Sequence, residues 1–312
     1  MWYHEIEKFR LMKMKYIVLY NPHAGDGWNE EKRSAAEKSI GGECFFYDMT
    51  KTDYGSLFNK MTDGERLVLI GGDGTLNRFI NDTKELTLPE HILYLAGGSG
   101  NDFLHDISGS QTSDKPIEID KYIKNLPTVT VNGKEELFLN GIGYGIDGYC
   151  CRVGDEIKEK SQKKPNYTAI AIKGLLFHFN PADAVVTVDG VSREYKNVWL
   201  APTMNGRYYG GGMIPTPAQN RLGDGSLSLL VWHCNGKLKT LSVFPSIFKG
   251  EHVSHGDMCE VLTGRKIEVE FSTPTDLQID GETVKNVTHY AVQSRGGEKA
   301  ETLSTSGELS HA

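Results

Sequence analysis

Residues 67–82 read LVLIGGDGTLNRFIND, and this stretch decides the fold. Leu67 to Ile70 form a continuous apolar run, the pattern of a short strand buried on both faces. After Thr75 the apolar residues Leu76, Phe79 and Ile80 fall at i, i+3 and i+4, the spacing of a helix. Gly71, Gly72 and Gly74 remove three side chains from the turn between them. A strand, a glycine-rich turn and a helix aim backbone N–H groups and a helix dipole at one point, which suits an anion such as phosphate. The plainer reading is a tight turn with no ligand, but three glycines and an Asp exceed what turning requires.

The same texture extends outward. YIVLY (16–20) runs into NPHAG (21–25), Glu30 to Ile40 reads as a helix, CFFYDMT as a strand and Tyr54 to Thr62 as another helix. HILYLAGG follows the opening stretch. This β-α-β-α-β-α-β alternation over about residues 15–107 predicts a parallel sheet covered by helices. Ligands on such sheets bind beyond the carboxyl ends of the strands, and every glycine-rich turn falls at that edge. After about residue 115 the strands alternate apolar and polar residues and turn at N-G and D-G pairs, as antiparallel strands do. Residues 155–179 and 237–249 read as rim helices.

The expected class is therefore α/β: an N-terminal parallel α/β nucleotide-binding domain (15–115) and a C-terminal antiparallel, β-rich, sandwich-like domain (116–288). The active site is expected in the cleft between them. The chain after 288 is a candidate to complete the first domain. Residues 1–14 read as an N-terminal extension and 294–312 as a disordered tail rich in Ser, Gly and Glu.

At 312 residues the chain is long enough for two domains. A net charge of −7 argues against a nucleic-acid partner, which selects for a basic face. Five scattered cysteines (44, 150, 151, 234, 259) show no C-x-x-C pair and read as reduced thiols of a cytoplasmic protein. No segment approaches 18 apolar residues, so no transmembrane helix is expected. In the extension, Trp2, Ile6 and Phe9 share a helical face beside Lys8, Arg10 and Lys13, which admits membrane contact as well as simple packing.

Three turns are phosphate-cradle candidates: NPHAG (21–25), GGDGT (71–75) and GGSGND (97–102). No Walker loop occurs. Gly143-Tyr-Gly145-Ile-Asp-Gly148 fits G-x-G-x-x-G but lies in the β-rich half without a following βαβ unit, so its glycines read as aids to close packing. The ordered set resembles the diacylglycerol kinase catalytic-domain family, which includes bacterial lipid kinases and sphingosine kinases. GGDGT followed by Asn77, GGSGNDF (97–103), NPHAG, FLNGIGYGIDG (138–148), GGGMIPTPA (210–218), DGSL (224–227) and IDGE (279–282) carry the likeness across about residues 16–290. The chain departs from the family pattern at Ala24, Ala96 and Leu104-His105, and the spacer between Ala218 and Asp224 is long.

The resemblance implies transfer of the ATP γ-phosphoryl group to a lipid hydroxyl, diacylglycerol or a related lipid, with Mg²⁺ and at the inner face of a membrane. It implies nucleotide contacts from Asn21, Pro22, His23, Ala24, Gly25, Thr50, Gly71, Gly72, Asp73, Gly74, Thr75, Asn77 and Ser99. Asp73 would face Mg²⁺ or its waters; its plainer role is to cap the following helix. Glu282 would be the general base, with Asp280 beside it and Asp102 positioning the acceptor. A structural Mg²⁺ would be held by Asp224 with carbonyls from Ser226 and Arg221. The histidines of His252-Val-Ser-His255 lack identifiable carboxylate partners for a metal. Two rivals remain in view: a NAD kinase, which shares GGDGT, and a catalytically weak nucleotide- or lipid-binding regulator. The acceptor lipid and the oligomeric state, a homodimer included, are not written in these motifs.

Overall fold

A computed structural model describes residues 14–25, 27–98, 100–161, 165–233 and 236–295. Ser99, Cys234, the N-terminal extension to residue 13 and the tail from 296 lie outside the described residues. The first half holds β1 (Lys15–Tyr20), α1 (Glu30–Ile40), β2 (Glu43–Asp48), α2 (Tyr54–Phe58), β3 (Glu65–Gly71), α3 (Asp73–Asp82), β4 (Ile92–Ala96) and α4 (Asp102–Ser108). The short β5 (Ile117–Glu118) and α5 (Asp120–Ile123) follow. The sheet order is β2-β1-β3-β4-β5, parallel except for β5, which runs antiparallel to β4. Helix α3 buries Leu76, Phe79 and Ile80 against the sheet, as their spacing predicts.

The second half holds β6 (Thr128–Val131), β7 (Lys134–Leu137), β8 (Gly141–Tyr144), α6 (Ile146–Ser161), α7 (Tyr167–Lys173) and a π turn (Gly174–His178). Then come β9 (Ala182–Val188), β10 (Val191–Leu200), β11 (Thr203–Met204), β12 (Leu227–His233) and α8 (Lys237–Val243). Two 3₁₀ segments (Phe244–Lys249 and Glu251–Ser254), β13 (Cys259–Gly264), β14 (Lys266–Ile279) and β15 (Glu282–Gln293) complete it. The strands form one antiparallel sheet ordered β7-β6-β15-β14-β8-β11-β12-β10-β9. It curls until β9 also pairs with β14, and β13 adds to β12. Closure lets alternating residues such as Val186, Val198, Leu229, Val269 and Tyr290 fill one interior. A second core lies on the outer face, where α6 to α8 and the first 3₁₀ segment pack over Trp199 and Trp232.

Two boundaries differ from the sequence expectation. The first sheet is completed by β5, and Ile119, Ile123 and Leu126 join its core, so the first domain extends past 115. The chain after 288 belongs to β15, which pairs with β14 and β6 in the second sheet rather than with the first. Within Gly143–Gly148 the glycines serve close approach. A Cβ on Gly145 or Gly148 would overlap the backbone at Trp199 or Asp276, and among the described residues no parallel strand follows α6.

Candidate active site

Register brings the turns together. Tyr20 pairs with Ile70 and Gly71 with Ala96, so the turns after β1, β3 and β4 emerge side by side at the carboxyl edge. The second and third touch backbone to backbone. Gly97 N–H donates to Gly71 O at 2.8 Å, and a Cβ on Gly98 would stand 2.6 Å from Gly72 Cα. By contrast, Cβ atoms on Gly25 or Gly74 would meet nothing within 4 Å, so those glycines leave space rather than fill it. Gly72 caps α3 without a side-chain acceptor, leaving that helix end to backbone N–H groups. In the first turn Asn21 Oδ1 accepts from His23 N–H at 3.0 Å. Thr50 donates its hydroxyl to Asp48 at 2.6 Å, which orients the hydroxyl oxygen but occupies its proton.

Asp73 does cap a helix, though not its own. Its carboxylate accepts from Asp102 N–H (2.8 Å) and Phe103 N–H (3.1 Å), the first amides of α4. Burial pushes its pKa up against these bonds. Asp102 is itself 5% exposed. Its Oδ2 accepts from Gly211 N–H at 2.8 Å, whereas Oδ1 is buried with no protein partner. Burial raises the Asp102 pKa to about 6; Gly211 N–H opposes the rise and the nearby Asp73 and Asp280 carboxylates add to it.

Asp280 has a different task. It sits at φ 47°, one side of the turn between β14 and β15. Its carboxylate accepts from Leu139, Asn140 and Gly141 N–H and from Asn77 Nδ2 at 2.8 Å. Four donors hold the Asp280 carboxylate in place, and the bond from the Asn77 amide ties α3 to the second sheet. Beside it, Arg221 donates to Asp106 (2.6 Å), to Leu139 O (3.0 Å) and to Asn140 Oδ1 (2.9 Å), and stacks over Phe103. Segment 139–141, between β7 and β8, is thus held from both sides. His105, at a departure from the family pattern, stacks on Tyr208 at 3.9 Å between ring centres. Glu282 is exposed at the start of β15, and its charge is felt by Cys151.

The expected structural metal at the Asp224 turn does not fit the donors present. Asp224 is exposed, and its Oδ1 accepts from Ser226 N–H at 2.9 Å. The Ser226 carbonyl accepts from Gln219 Nε2 (3.0 Å), the Asp224 carbonyl from Arg265 (2.6 Å) and the Gly225 carbonyl from Ser294 Oγ. Among the described residues no cluster of three His, Cys, Asp or Glu has metal-binding geometry.

Between the two halves lies a cavity of about 400 Å³ with two chemically distinct ends. One end presents Asp73, Asp102 and Asp280, with Gly281 of the D-G-E turn beside them. The other is walled by Ile146, Tyr167, Ala171, Met213, Phe244 and Phe248. No described lining residue is Lys, Arg or His. In the same lining, Asp147 is 6% exposed and accepts a hydrogen bond from the Tyr209 hydroxyl. Burial raises the Asp147 pKa to about 7, against the Tyr209 bond, so it holds a proton near neutrality. Asp147 and Tyr209 escape the sequence reading. The signal was an Asp on the apolar face of a helix, inside a stretch whose glycines drew the attention.

A family model for the diacylglycerol kinase catalytic domain matches residues 15–130, and one for the YegS C-terminal NAD kinase beta sandwich-like domain matches 140–294. YtlR of Bacillus subtilis (strain 168), provisionally named a lipid kinase, is 28% identical over 177 residues, 50% of this chain and 54% of YtlR. The match therefore spans about half of that relative's length. A diacylglycerol kinase of Mycobacterium tuberculosis is 25% identical over 216 residues, 67% of each chain. The crystal structure of a diacylglycerol kinase from Bacillus anthracis str. Sterne shares the fold, with a TM-score of 0.58 at 19% identity, covering 91% of this chain and 95% of that one.

Proposed function

Because the diacylglycerol kinase catalytic-domain model matches residues 15–130 of this chain and the YegS C-terminal domain model matches 140–294, we propose that it is an ATP- and Mg²⁺-dependent kinase of a lipid hydroxyl. The single observation that carries the reading is the two-ended cavity. An acceptor with an apolar body and a hydroxyl head matches an apolar wall that ends in carboxylates.

The nucleotide triphosphate would lie on the turns at 21–25 and 71–75, where Gly25 and Gly74 leave room and the α3 end offers N–H groups. Carboxylates alone would repel phosphate, so the acid end needs a cation. The unpartnered Asp102 Oδ1 and its crowding by Asp73 fit Mg²⁺ arriving on the triphosphate, with Asp73 and Asp102 as its holders. Mg²⁺ would there neutralise charge on the transferring group. Glu282 would take the acceptor's proton, held near the cavity by the turn that Asp280 fixes, and Asp147 with Tyr209 would meet polar atoms of the acceptor head. Diacylglycerol is the acceptor we favour, and the cytoplasmic face of a membrane the place.

The test is incubation with γ-labelled ATP and Mg²⁺ and either detergent-dispersed diacylglycerol or NAD. Label in phosphatidic acid is expected; label in NADP alone overturns the proposal, and nucleotide binding without any turnover would make the chain a regulator. Glu282→Gln should lower kcat by about 10² to 10⁴ while leaving ATP binding intact. Unchanged turnover removes Glu282 from the mechanism.

A further inference from the structure

The two most exposed large apolar side chains among the described residues, Leu238 (77%) and Phe177 (72%), stand on neighbouring elements of one rim. Leu238 is on α8 and Phe177 in the π turn, and these elements pack against each other. Lys237 Nζ reaches Asn180 Oδ1 at 3.3 Å across the same seam. The inner faces of these elements are already buried, through Leu175, Val243 and Phe244. Apolar residues therefore appear on both faces of a surface layer, which a water-facing helix does not need. The outer patch continues through Ile172 to Phe248, which is 41% exposed and also lines the cavity.

Charge identifies the occupant. Residues 165–180 and 236–250 contain no carboxylate, in a chain whose net charge is −7. Lys239 is paired with Asp257, which leaves Lys173, Lys237 and Lys249 as the cations of this rim that no carboxylate of these two segments offsets. A protein partner would be met equally by a neutral patch. An anionic bilayer is repelled by most of this surface and attracted by this rim. Resting on the lipid-kinase reading, we propose that α7, the π turn, α8 and the first 3₁₀ segment form the face that lies on an anionic lipid bilayer. Phe177 and Leu238 enter the interfacial region, the lysines meet lipid phosphates, and the cavity mouth opens beside the membrane, where an acceptor can enter without crossing water.

The test is sedimentation of the full chain with phosphatidylcholine vesicles, with and without phosphatidylglycerol, alongside assays on detergent-dispersed diacylglycerol. Wild type should bind the anionic vesicles in a salt-sensitive way. Phe177→Glu combined with Leu238→Glu should weaken that binding by at least about tenfold, since both apolar side chains are withdrawn from the interface and a negative charge replaces each. Its melting temperature and its activity on dispersed lipid should stay unchanged, because neither residue lines the cavity. Lys173→Ser with Lys237→Ser should reduce the preference for phosphatidylglycerol. Undiminished vesicle binding by the double glutamate variant overturns the proposal. So does a change of that variant's oligomeric state in gel filtration with vesicle binding intact, which would make the patch a contact between copies. Wild-type vesicle binding lost in the variant upholds the docking face even if no lipid is phosphorylated, so failure of the kinase reading is seen separately.

Discussion

Two Asp-Gly turns of the second domain look alike in sequence and differ in what surrounds them. Asp224-Gly225-Ser226 faces solvent, and its Asp accepts from Ser226 two residues away. Asp280-Gly281-Glu282 faces the other domain, and its Asp gathers three consecutive backbone N–H groups and an amide 203 residues distant in sequence. The carboxylate is the same; the difference lies in how many donors depend on it. An exposed turn can replace a lost acceptor with water, whereas the 139–141 amides face a carboxylate that water replaces poorly.

The sharpest way to break this comparison is Asp280→Ala. It should cost about 4 kcal/mol of stability in chemical denaturation, through three stranded amides, with Asp280→Asn losing less. A cost below about 1 kcal/mol would mean that the turn is no clasp. Next is Asp102→Asn, expected to lower kcat by about 10² or more while raising stability in alkaline buffer. The sign follows from its folded pKa of about 6, above the ordinary 3.8. Ionising it in the fold is unfavourable, so the penalty grows from pH 4 and is complete above pH 6.

A smaller effect belongs to Asp147, whose folded value of about 7 likewise exceeds 3.8. Wild-type stability should fall by about 3 kcal/mol as pH rises from 4 through 7, and Asp147→Asn should flatten that slope. Urea titrations at several pH values read this directly; an unchanged slope would place the titration elsewhere. Smallest is Asp224→Ala. It should leave the melting temperature unmoved, and a chelator should have no effect on the nucleotide-free protein. A chelator-induced drop that the variant abolishes would restore a metal to that turn.

Much of the first domain was legible. LVLI and the spacing of Leu76, Phe79 and Ile80 carry strong periodic signals, and both elements form as read. β5 was not legible, because two residues pairing antiparallel at an edge have no periodicity to detect. The gathering of Asp73 and Asp102 at one edge followed from parallel topology. The partners of the Arg221 guanidinium, the Asn77 amide and the Asp280 carboxylate did not, since each lies on a distant strand, helix or loop. Asp147 was hidden for a related reason: a carboxylate draws notice only once its surroundings are known to be apolar and its one partner, Tyr209, is in view.

By itself the sequence determined the layered parallel half, the three glycine-rich turns at its carboxyl edge and the β-rich character of the rest. Those properties come from local period and turn chemistry, which act over a few residues. Only the tertiary structure decided which carboxylates are bound and which is left with an open oxygen, and that the cavity is acidic at one end and apolar at the other. It also decided that the apolar, lysine-bearing rim stands beside that cavity. Burial and hydrogen-bond satisfaction depend on what meets across the junction of two domains, and no local stretch of chain contains that information.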